Sequence, residues 1–301
     1  MEPRKVLILG ATGMLGHALF TLLAERGGLE VHATARRREG ISRWFSPDLL
    51  ARIHGKVDAD DFGSVRRALD EAAPDVVVNA IGVIKQLPEA QDPVVAISIN
   101  ALFPHRLATA CRAVGARLIH VSTDCVFSGE RGNYSEDDLP DAPDLYGRTK
   151  LLGEVAGPGC VTLRTSIIGH ELVGRHGLVE WFLSREDKVQ GFANAVYSGF
   201  PTVELARIVA ERILPNEGLS GLYHVSSAPI SKYDLLRLVA ERYGKKIEIE
   251  REEEFRCDRS LDSTRFRRAT GYEPPAWPDL VEAMHRHFAA SPAYRERART
   301  A

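Results

Sequence analysis

The sequence predicts an α/β fold, a doubly wound parallel sheet with a smaller C-terminal lobe. Two observations indicate this fold. Short runs rich in β-branched residues recur along the chain, and stretches with apolar residues at three- and four-residue spacing lie between them. Strands that alternate with helices are typical of a parallel sheet with helices on both faces. A length of 301 residues fits one large α/β unit or two lobes.

The predicted strands are short apolar runs of four to six residues. They are Val6–Leu9, Val31–Ala35, Val76–Ala80, Leu118–Thr123, Val161–Arg164 and Leu222–Val225. The helical spacing predicts helices over Met14–Arg26, Phe62–Ala72, Ala101–Val114, Val203–Leu214 and Tyr233–Tyr243. The last helix also has end signals, because Ser231 and Asp234 can form a capping box and Gly244 follows as a stop.

The regular alternation weakens after Ser166, where glycine-rich, aromatic and charged stretches follow one another. We therefore predict two lobes and a tail. The larger lobe takes residues 1–165 and 201–228, and the smaller lobe takes residues 166–200 and 229–290. Residues 291–301 are polar and are expected to fray.

Composition excludes several classes of partner. Thirty-nine Lys and Arg residues stand against 41 Asp and Glu residues, so the formal net charge of −2 gives no field that would attract nucleic acid or an anionic membrane. The four cysteines form no C-x-x-C pair, which predicts reduced thiols and no metal site. The apolar run at Val6–Leu9 is too short for a signal peptide, so we expect a cytoplasmic protein outside the membrane.

A glycine-rich turn joins the first predicted strand to the first predicted helix. Its sequence is Gly10-Ala11-Thr12-Gly13-Met14-Leu15-Gly16. Glycines at this place permit a tight turn, the close approach of a pyrophosphate to backbone N–H groups, and close packing of helix on strand. Strand, turn and helix together predict a Rossmann-type dinucleotide site, although a glycine turn alone would be weak evidence.

The end of the second strand predicts which dinucleotide binds. A carboxylate at this place holds the ribose 2′-hydroxyl of NAD, but here Arg36 and Arg37 follow the strand. A guanidinium binds a 2′-phosphate, so NADP(H) is predicted over NAD(H), which remains an alternative. A solvated basic turn is the structural alternative for these arginines. Asp58 is placed to accept from the adenine amino group, or else lies in an exposed loop.

Three residues predict the chemistry. Thr123 ends a buried strand of the predicted sheet, where ligands of parallel sheets gather. Tyr146 and Lys150 follow at i and i+4 spacing, which places phenol and ammonium on one helix face. The ammonium is expected to lower the pKa of Tyr146 from its usual value, about 10, so that the phenol can transfer a proton. Thr123 would then hydrogen-bond a substrate carbonyl, which predicts carbonyl reduction.

These residues resemble the extended short-chain dehydrogenase/reductase superfamily, and within it the dTDP-4-dehydrorhamnose reductase family. The resemblance covers nearly the whole chain. Its landmarks are the glycine turn, Val78-Asn79-Ala80, His120-Val121-Ser122-Thr123-Asp124-Cys125-Val126-Phe127-Ser128-Gly129, Tyr146-Gly147-Arg148-Thr149-Lys150-Leu151-x-Gly153-Glu154 and Arg259-Ser260-Leu261-Asp262-Ser263.

The resemblance implies a reductase that uses NAD(P)H on the 4-keto group of a nucleotide-activated deoxyhexose, in the synthesis of surface polysaccharide sugars. It implies that Asp124 joins the three catalytic residues, that Asn79 and Ala80 lie at the cofactor, and that Lys85 and Arg259 contact the substrate. For Lys85 and Arg259 the alternative is a solvated surface side chain. A homodimer is a further expectation.

Cys125 stands where the family usually has tyrosine, and Met14 where glutamine is common. An N-acetylated or UDP-linked sugar is therefore as compatible with the sequence as a dTDP sugar. Two other functions also fit. One is an epimerase or dehydratase of the same superfamily, and the other is a regulatory subunit that binds cofactor without catalysis. The presence of both Tyr146 and Lys150 favours an enzyme over a regulatory subunit.

Overall fold

Twelve strands and eleven α-helices occupy the part of the chain that the computed structural model describes, residues 2–294. The strands are β1 (Arg4–Leu9), β2 (Leu29–Ala35), β3 (Ile53–Gly55), β4 (Val76–Asn79), β5 (Arg117–Thr123), β6 (Cys160–Thr165), β7 (Ile167–Ile168), β8 (Val189–Tyr197), β9 (Phe200–Pro201), β10 (Gly221–His224), β11 (Ile230–Ser231) and β12 (Ile249–Asp258). The helices are α1 (Met14–Ala24), α2 (Pro47–Ala51), α3 (Phe62–Ala72), α4 (Pro93–Ala96), α5 (Phe103–Ala113), α6 (Leu145–Leu152), α7 (Leu178–Leu183), α8 (Thr202–Ile208), α9 (Lys232–Tyr243), α10 (Thr264–Thr270) and α11 (Trp277–Ala290).

Seven parallel strands form the main sheet in the order β3-β2-β1-β4-β5-β6-β10. The strand order reverses at β1, which pairs with β2 on one side and β4 on the other. Ligands of such sheets bind beyond the carboxyl ends of the strands at this reversal. The predicted fold class is confirmed, and so is the prediction that the strand after Val203–Leu214 returns to this sheet, as β10.

The core lies on both faces of this sheet. Along β1, Val6 and Ile8 pack into one buried cluster, whereas Leu7 and Leu9 pack into a second cluster on the opposite face. Side chains alternate between faces along a strand, so a strand that is covered on both sides must be apolar at consecutive positions. This requirement explains the uninterrupted apolar runs that predicted the strands.

The second half of the chain adds a three-stranded sheet in the order β11-β8-β12. Here β12 pairs in parallel with β8 over ten residues that include a bulge between Glu252 and Arg256. The charged run Glu252–Glu254 lies in β12, where no strand was predicted. The residues of β12 are half-buried or exposed, so this strand has no apolar run to reveal it. Helix α9 is capped as predicted, with Ser231 Oγ accepting a hydrogen bond from Asp234 N at 3.0 Å.

The predicted tail is only partly within the described residues, since residues 295–301 lie outside them. Fraying is wrong for the part that is described. Ala293 and Tyr294 are buried, and the Tyr294 hydroxyl lies 3.1 Å from Nδ1 of His17 on α1. Tyr294 therefore packs onto α1, the first helix of the chain.

A π-helical turn, Ile97–Leu102, joins α4 to α5, so that one helix runs from Pro93 to Ala113. By length and composition this helix could cross a membrane. Half of its apolar stretch is buried inside the protein, however, and a core helix of a soluble protein meets the same criteria of length and composition.

Candidate active site

The glycine turn connects β1 to α1 at the point where the strand order reverses. Gly10 adopts a φ of +93°, in the region that favours glycine. Gly16 lies in the first turn of α1 so close to the loop that an added Cβ would come 1.9 Å from the Gly10 carbonyl oxygen. A Cβ on Gly13 would meet only that same oxygen, at 3.5 Å, and Gly13 is exposed. Gly10 thus permits the turn, Gly13 leaves the surface beside the helix N-terminus free of a side chain, and Gly16 permits the close packing of helix on turn.

The start of α1 fits a pyrophosphate. Gly13 is its N-cap, and no side chain of the described residues caps the helix. The amides of the first turn are therefore available to an anion at the positive end of the helix. Thr12 and Met14 are half-buried beside the turn, whereas Leu15 is buried in the core, so only its backbone can face a cofactor.

The three arginines after β2 differ in their contacts. Arg38 donates a hydrogen bond to the Leu50 carbonyl at 3.0 Å. Arg36 and Arg37 are exposed and make no hydrogen bond or ion pair within residues 2–294. Asp58 is half-buried beyond β3, and its Oδ1 accepts from Asp60 N at 3.2 Å. Arg36 and Arg37 therefore remain available to a ligand, as the prediction of a phosphate contact requires.

The segment after β4 links the glycine turn to α6, which carries Tyr146 and Lys150 and is here called the predicted catalytic helix. A Cβ on Gly10 would lie 3.2 Å from Cγ1 of Ile81, and a Cβ on Gly82 would lie 3.9 Å from Nζ of Lys150. Asn79 itself is buried, with its amide nitrogen 3.1 Å from Nδ1 of His120 and its amide oxygen accepting from Ile81 N. The side chain of Asn79 is thus engaged within the protein and shapes this segment.

Asn100, which sequence analysis missed, holds the same segment from the π-helical turn. Its side-chain oxygen accepts from Val83 N at 2.9 Å, and its nitrogen donates to the Val83 carbonyl at 3.0 Å. An asparagine within an apolar helix could have indicated a buried polar contact, but the sequence does not show which loop it binds. Asn79 and Asn100 together fix the path of the loop after β4.

Helix α6 places Tyr146 and Lys150 against the end of β5. Asp144 caps the helix, since its Oδ1 accepts from Gly147 N at 2.8 Å. At Gly147 the helix approaches the loop after β5 so closely that a Cβ would lie 2.2 Å from the Cys125 carbonyl oxygen. The phenol of Tyr146 lies near enough to Thr123 for that side chain to lower its pKa. The structure therefore brings the predicted phenol and hydroxyl together.

Lys150 is buried, and its ammonium donates a hydrogen bond to the Val121 carbonyl on β5 at 2.8 Å. Burial lowers the pKa of Lys150 to about 8, because a charged group loses hydration, while the carboxylate of Glu154 acts in the opposite direction. Lys150 is thus mostly protonated at pH 7, and its charge lies against β5 one helical turn after Tyr146.

The pKa of Tyr146 moves opposite to the prediction. Burial raises it above the usual value, and the thiol of Cys125 and the carboxylates of Asp124 and Asp144 add to the shift. Contact with Thr123 lowers it, but not enough to compensate. The predicted fall in the pKa rested on the ammonium of Lys150 alone. The burial of the Tyr146 ring and the carboxylates around it follow only from the tertiary structure. The phenol is therefore kept protonated, which is the form that donates a proton.

Asp124 is buried at the carboxyl end of β5 and accepts a hydrogen bond from Thr123 Oγ1 at 3.2 Å. Burial raises its pKa, and the guanidinium of Arg259 and hydrogen bonds from Cys125, Thr123 and Ser166 oppose that rise. Ser166, which sequence analysis did not select, begins the segment after β6. Its position two residues after the predicted strand Val161–Arg164 could have indicated that it lies at the site.

The two predicted substrate residues occupy different environments. Arg259 is half-buried, donates from Nε to the Phe127 carbonyl at 2.8 Å, and lies near Asp124 and Asp144. Lys85 is exposed and forms an ion pair with Oδ2 of Asp144 at 2.5 Å, across the start of the catalytic helix. Arg259 therefore lies beside Asp124, whereas Lys85 lies at the start of α6.

A glycine turn at the sheet reversal, with Thr123 at the end of β5 and with Tyr146 and Lys150 on α6 beside it, is the arrangement typical of extended short-chain dehydrogenases/reductases. Comparison with known families shows to which family the chain belongs. Residues 4–289 match the family model described as RmlD substrate binding domain, and the chain belongs to this family.

Similar proteins include reductases and the beta subunit of methionine adenosyltransferase 2. A dTDP-4-dehydrorhamnose reductase of Streptomyces griseus is 38% identical over 151 residues, which are 50% of this chain and 43% of that protein. A probable low-salt glycan biosynthesis reductase of Haloferax volcanii is 32% identical, with 73% of each chain covered. Methionine adenosyltransferase 2 subunit beta of Rattus norvegicus is 28% identical, with 81% of this chain and 73% of that protein covered.

Among solved structures, dTDP-4-dehydrorhamnose reductase from Bacillus anthracis, in complex with NADP, superposes with a TM-score of 0.76. The match covers 95% of this chain and 99% of that chain at 21% identity. The likeness confirms the fold. Which of the residues described above contact a cofactor or a substrate stays a prediction.

Proposed function

We propose that this protein reduces the 4-keto group of a nucleotide-activated deoxyhexose with NADPH, and that its product supplies the synthesis of a surface polysaccharide. One observation carries the proposal. The segment after β4 lies against the glycine turn at Gly10 and near Lys150, so the dinucleotide site and the Tyr146–Thr123 pair adjoin each other. The family and the reductases among its similar proteins support this function.

Each catalytic side chain has one task in this reaction. Thr123 Oγ1 holds the substrate carbonyl oxygen by a hydrogen bond, and Tyr146 donates its proton to that oxygen as negative charge develops there. Lys150 keeps a positive charge beside the phenol, which favours the phenolate that remains. The bound dinucleotide supplies the hydride.

We place the substrate pocket at the end of β5 and just beyond the end of β12, where Arg259 lies. Arg259 offers a cation near Asp124, which suits the diphosphate or a hydroxyl-rich part of a nucleotide sugar. Cys125 lies next to Tyr146 and Asp124, in the place where the reacting sugar ring must enter. A thiol there leaves more room than a tyrosine, so we include N-acetylated and UDP-linked sugars in the substrate class.

The proposed function is tested on a panel of dTDP-, UDP- and GDP-linked 4-keto hexoses. We expect NADPH oxidation that matches product formation for at least one of these sugars. Bound oxidised cofactor with product formation but no net NADPH use would instead identify an epimerase or dehydratase. Cofactor binding without turnover of any sugar would identify a regulatory subunit, the second candidate, which the similarity to methionine adenosyltransferase 2 subunit beta favours.

The preference for NADPH is tested at Arg36. Replacing Arg36 by Ala removes a guanidinium that would pair with the 2′-phosphate, and charged hydrogen bonds of this kind contribute about 1.5–3 kcal/mol. We expect the KM for NADPH to rise about tenfold or more, with the KM for NADH nearly unchanged. Initial rates with both cofactors measure this.

Arg38→Ala is the matched control, because Arg38 is engaged with the Leu50 carbonyl in the same turn. We expect it to change the KM values for NADPH and NADH alike. A parent enzyme that prefers NADH, or an Arg36→Ala variant that loses affinity for NADPH and NADH equally, would refute the role of Arg36. The homodimer and the cytoplasmic location stay predictions.

A further inference from the structure

Glu154 lies just beyond the end of the catalytic helix and binds two strands of the main sheet. Its Oε1 accepts from Ser122 Oγ on β5 and from Arg164 Nε on β6, both at 2.7 Å, and its Oε2 accepts from a terminal nitrogen of Arg164, also at 2.7 Å. The side chains are 11% exposed for Glu154 and 4% for Arg164. This bidentate ion pair is therefore shielded from water, where charges act more strongly.

The two strand residues are neighbours in the sheet, since Ser122 pairs in register with Arg164. Ser122 directly precedes Thr123, so Glu154 connects the catalytic helix to the residue next to the catalytic hydroxyl. Arg164 continues the network to β10, where a terminal nitrogen lies 3.3 Å from Nε2 of His224. One carboxylate thus fixes the end of α6 against three adjacent strands.

The same carboxylate acts on the charge of Lys150. The two residues are four apart in sequence, and the charge of Glu154 raises the pKa of Lys150 against the effect of burial. Two other groups lie in this region. Burial and Lys150 hold the pKa of His120, on β5, well below its usual value, and burial and Arg164 lower that of His224 to about 4. Both rings are therefore neutral near pH 8.

His105, on α5, is the remaining titratable group near His120, and its Nε2 lies 2.7 Å from the Leu152 carbonyl. Arg164 carries a fixed positive charge that Glu154 pairs. Near pH 8, Glu154 is thus the acidic group that offsets the desolvation of Lys150.

We propose that Glu154 is a positioning residue for the reaction: through Ser122 and Arg164 it holds the end of the catalytic helix against β5 beside Thr123. It thereby places its carboxylate on the residue of β5 next to Val121, whose carbonyl accepts the hydrogen bond from Lys150. The effect on turnover rests on the proposed reductase function, whereas the effect on the charge of Lys150 does not. The proposal is therefore tested first by a measurement that needs neither a sugar nor turnover.

The first experiment follows the ionisation of Lys150 by NMR of the full chain labelled with ¹³C at lysine Cε. The chain has eight lysines, and the signal absent from Lys150→Met identifies residue 150. We expect a midpoint of about pH 8 in the parent protein. In Glu154→Gln, which keeps the shape of the side chain but removes its charge, we expect the midpoint to fall by about one pH unit or more.

Arg164→Lys is the matched control, because it breaks the bidentate contact but keeps both charges. We expect its melting temperature to fall while the midpoint of Lys150 stays near that of the parent. If Glu154→Gln does not fold, Arg164→Gln replaces it, since an unpaired Glu154 carboxylate should move the midpoint to higher pH. An unchanged midpoint in the folded charge variant would overturn the proposal.

The second experiment measures kcat/KM against pH on the sugar that the panel identifies. The basic limb should move to lower pH in Glu154→Gln and should remain in place in Arg164→Lys. A uniform loss of rate in both variants, with the limb unmoved, would show that Glu154 acts only in stability. A parent protein with no turnover but with the expected NMR shifts would refute the reductase function and leave the role of Glu154 in the charge of Lys150 intact.

Discussion

Replacing Tyr146 by Phe should lower kcat for the keto sugar by about 10²–10⁴-fold, the usual contribution of a positioned general acid. The change removes the proton donor and keeps the ring that fills the space beside Thr123. NADPH affinity should remain within a few fold of the parent value, because the phenol is expected to meet the substrate and not the phosphates. Single-turnover rates and NADPH titration measure the two effects separately.

Tyr223→Phe is a matched control on β10, where the ring packs against Phe266. It removes a phenolic hydroxyl outside the site and should leave kcat unchanged. A Tyr146→Phe protein that turns over within about threefold of the parent would show that another group donates the proton, because a lost general acid costs at least about a hundredfold.

The surroundings of Tyr146 explain why its phenol is protonated before the reaction. Burial and nearby acids raise the pKa of Tyr146, so the proton is retained until charge develops on the substrate oxygen. In the reduction direction this is the required form. In the proposed reaction, Lys150, with a pKa of about 8, would supply the positive charge that the phenolate needs after transfer. Burial thus has opposite effects on the two residues: it raises the pKa of Tyr146 and lowers the pKa of Lys150.

The sequence predicts those parts of the site that depend on spacing. The glycine turn follows from its place between a strand and a helix, and the pairing of Tyr146 with Lys150 follows from the helical repeat. Thr123 follows from the end of a buried strand. All three are local patterns, which the fold must satisfy within a few residues.

What the sequence does not predict is set by contacts between distant segments. The direction of the Tyr146 pKa depends on how deeply the ring is buried. The ion pair of Lys85 with Asp144 joins residues 59 apart, and the Ser122–Glu154 contact joins residues 32 apart. Strand β12 escaped prediction because half-buried strands carry a weaker apolar pattern. Such features need the tertiary structure, which no local pattern contains.

The second large effect is expected at Gly16. Replacing Gly16 by Ala puts a Cβ 1.9 Å from the Gly10 carbonyl oxygen, and because that atom is backbone, helix α1 must move away from the turn. Overpacking of this kind costs about 1–3 kcal/mol or more. We expect the melting temperature to fall by a few degrees, since 1 kcal/mol lowers it by about 2–4 °C in chains of 150–250 residues and by less in longer ones. NADPH binding should be lost, since the turn is distorted.

Gly13→Ala separates cofactor binding from folding. Its Cβ would meet the Gly10 oxygen at 3.5 Å, an ordinary contact, and the φ of −77° suits alanine, so the melting temperature should stay near that of the parent. The same methyl would stand on the exposed surface where a pyrophosphate must approach the N-terminus of α1, so NADPH affinity should fall about tenfold or more, as expected when an ion-to-amide contact worth about 1.5–3 kcal/mol is lost. Calorimetric melting and NADPH titration of both variants make the comparison. If Gly13→Ala bound NADPH as tightly as the parent, the dinucleotide would have to lie elsewhere, and the tasks assigned to the two glycines would be wrong.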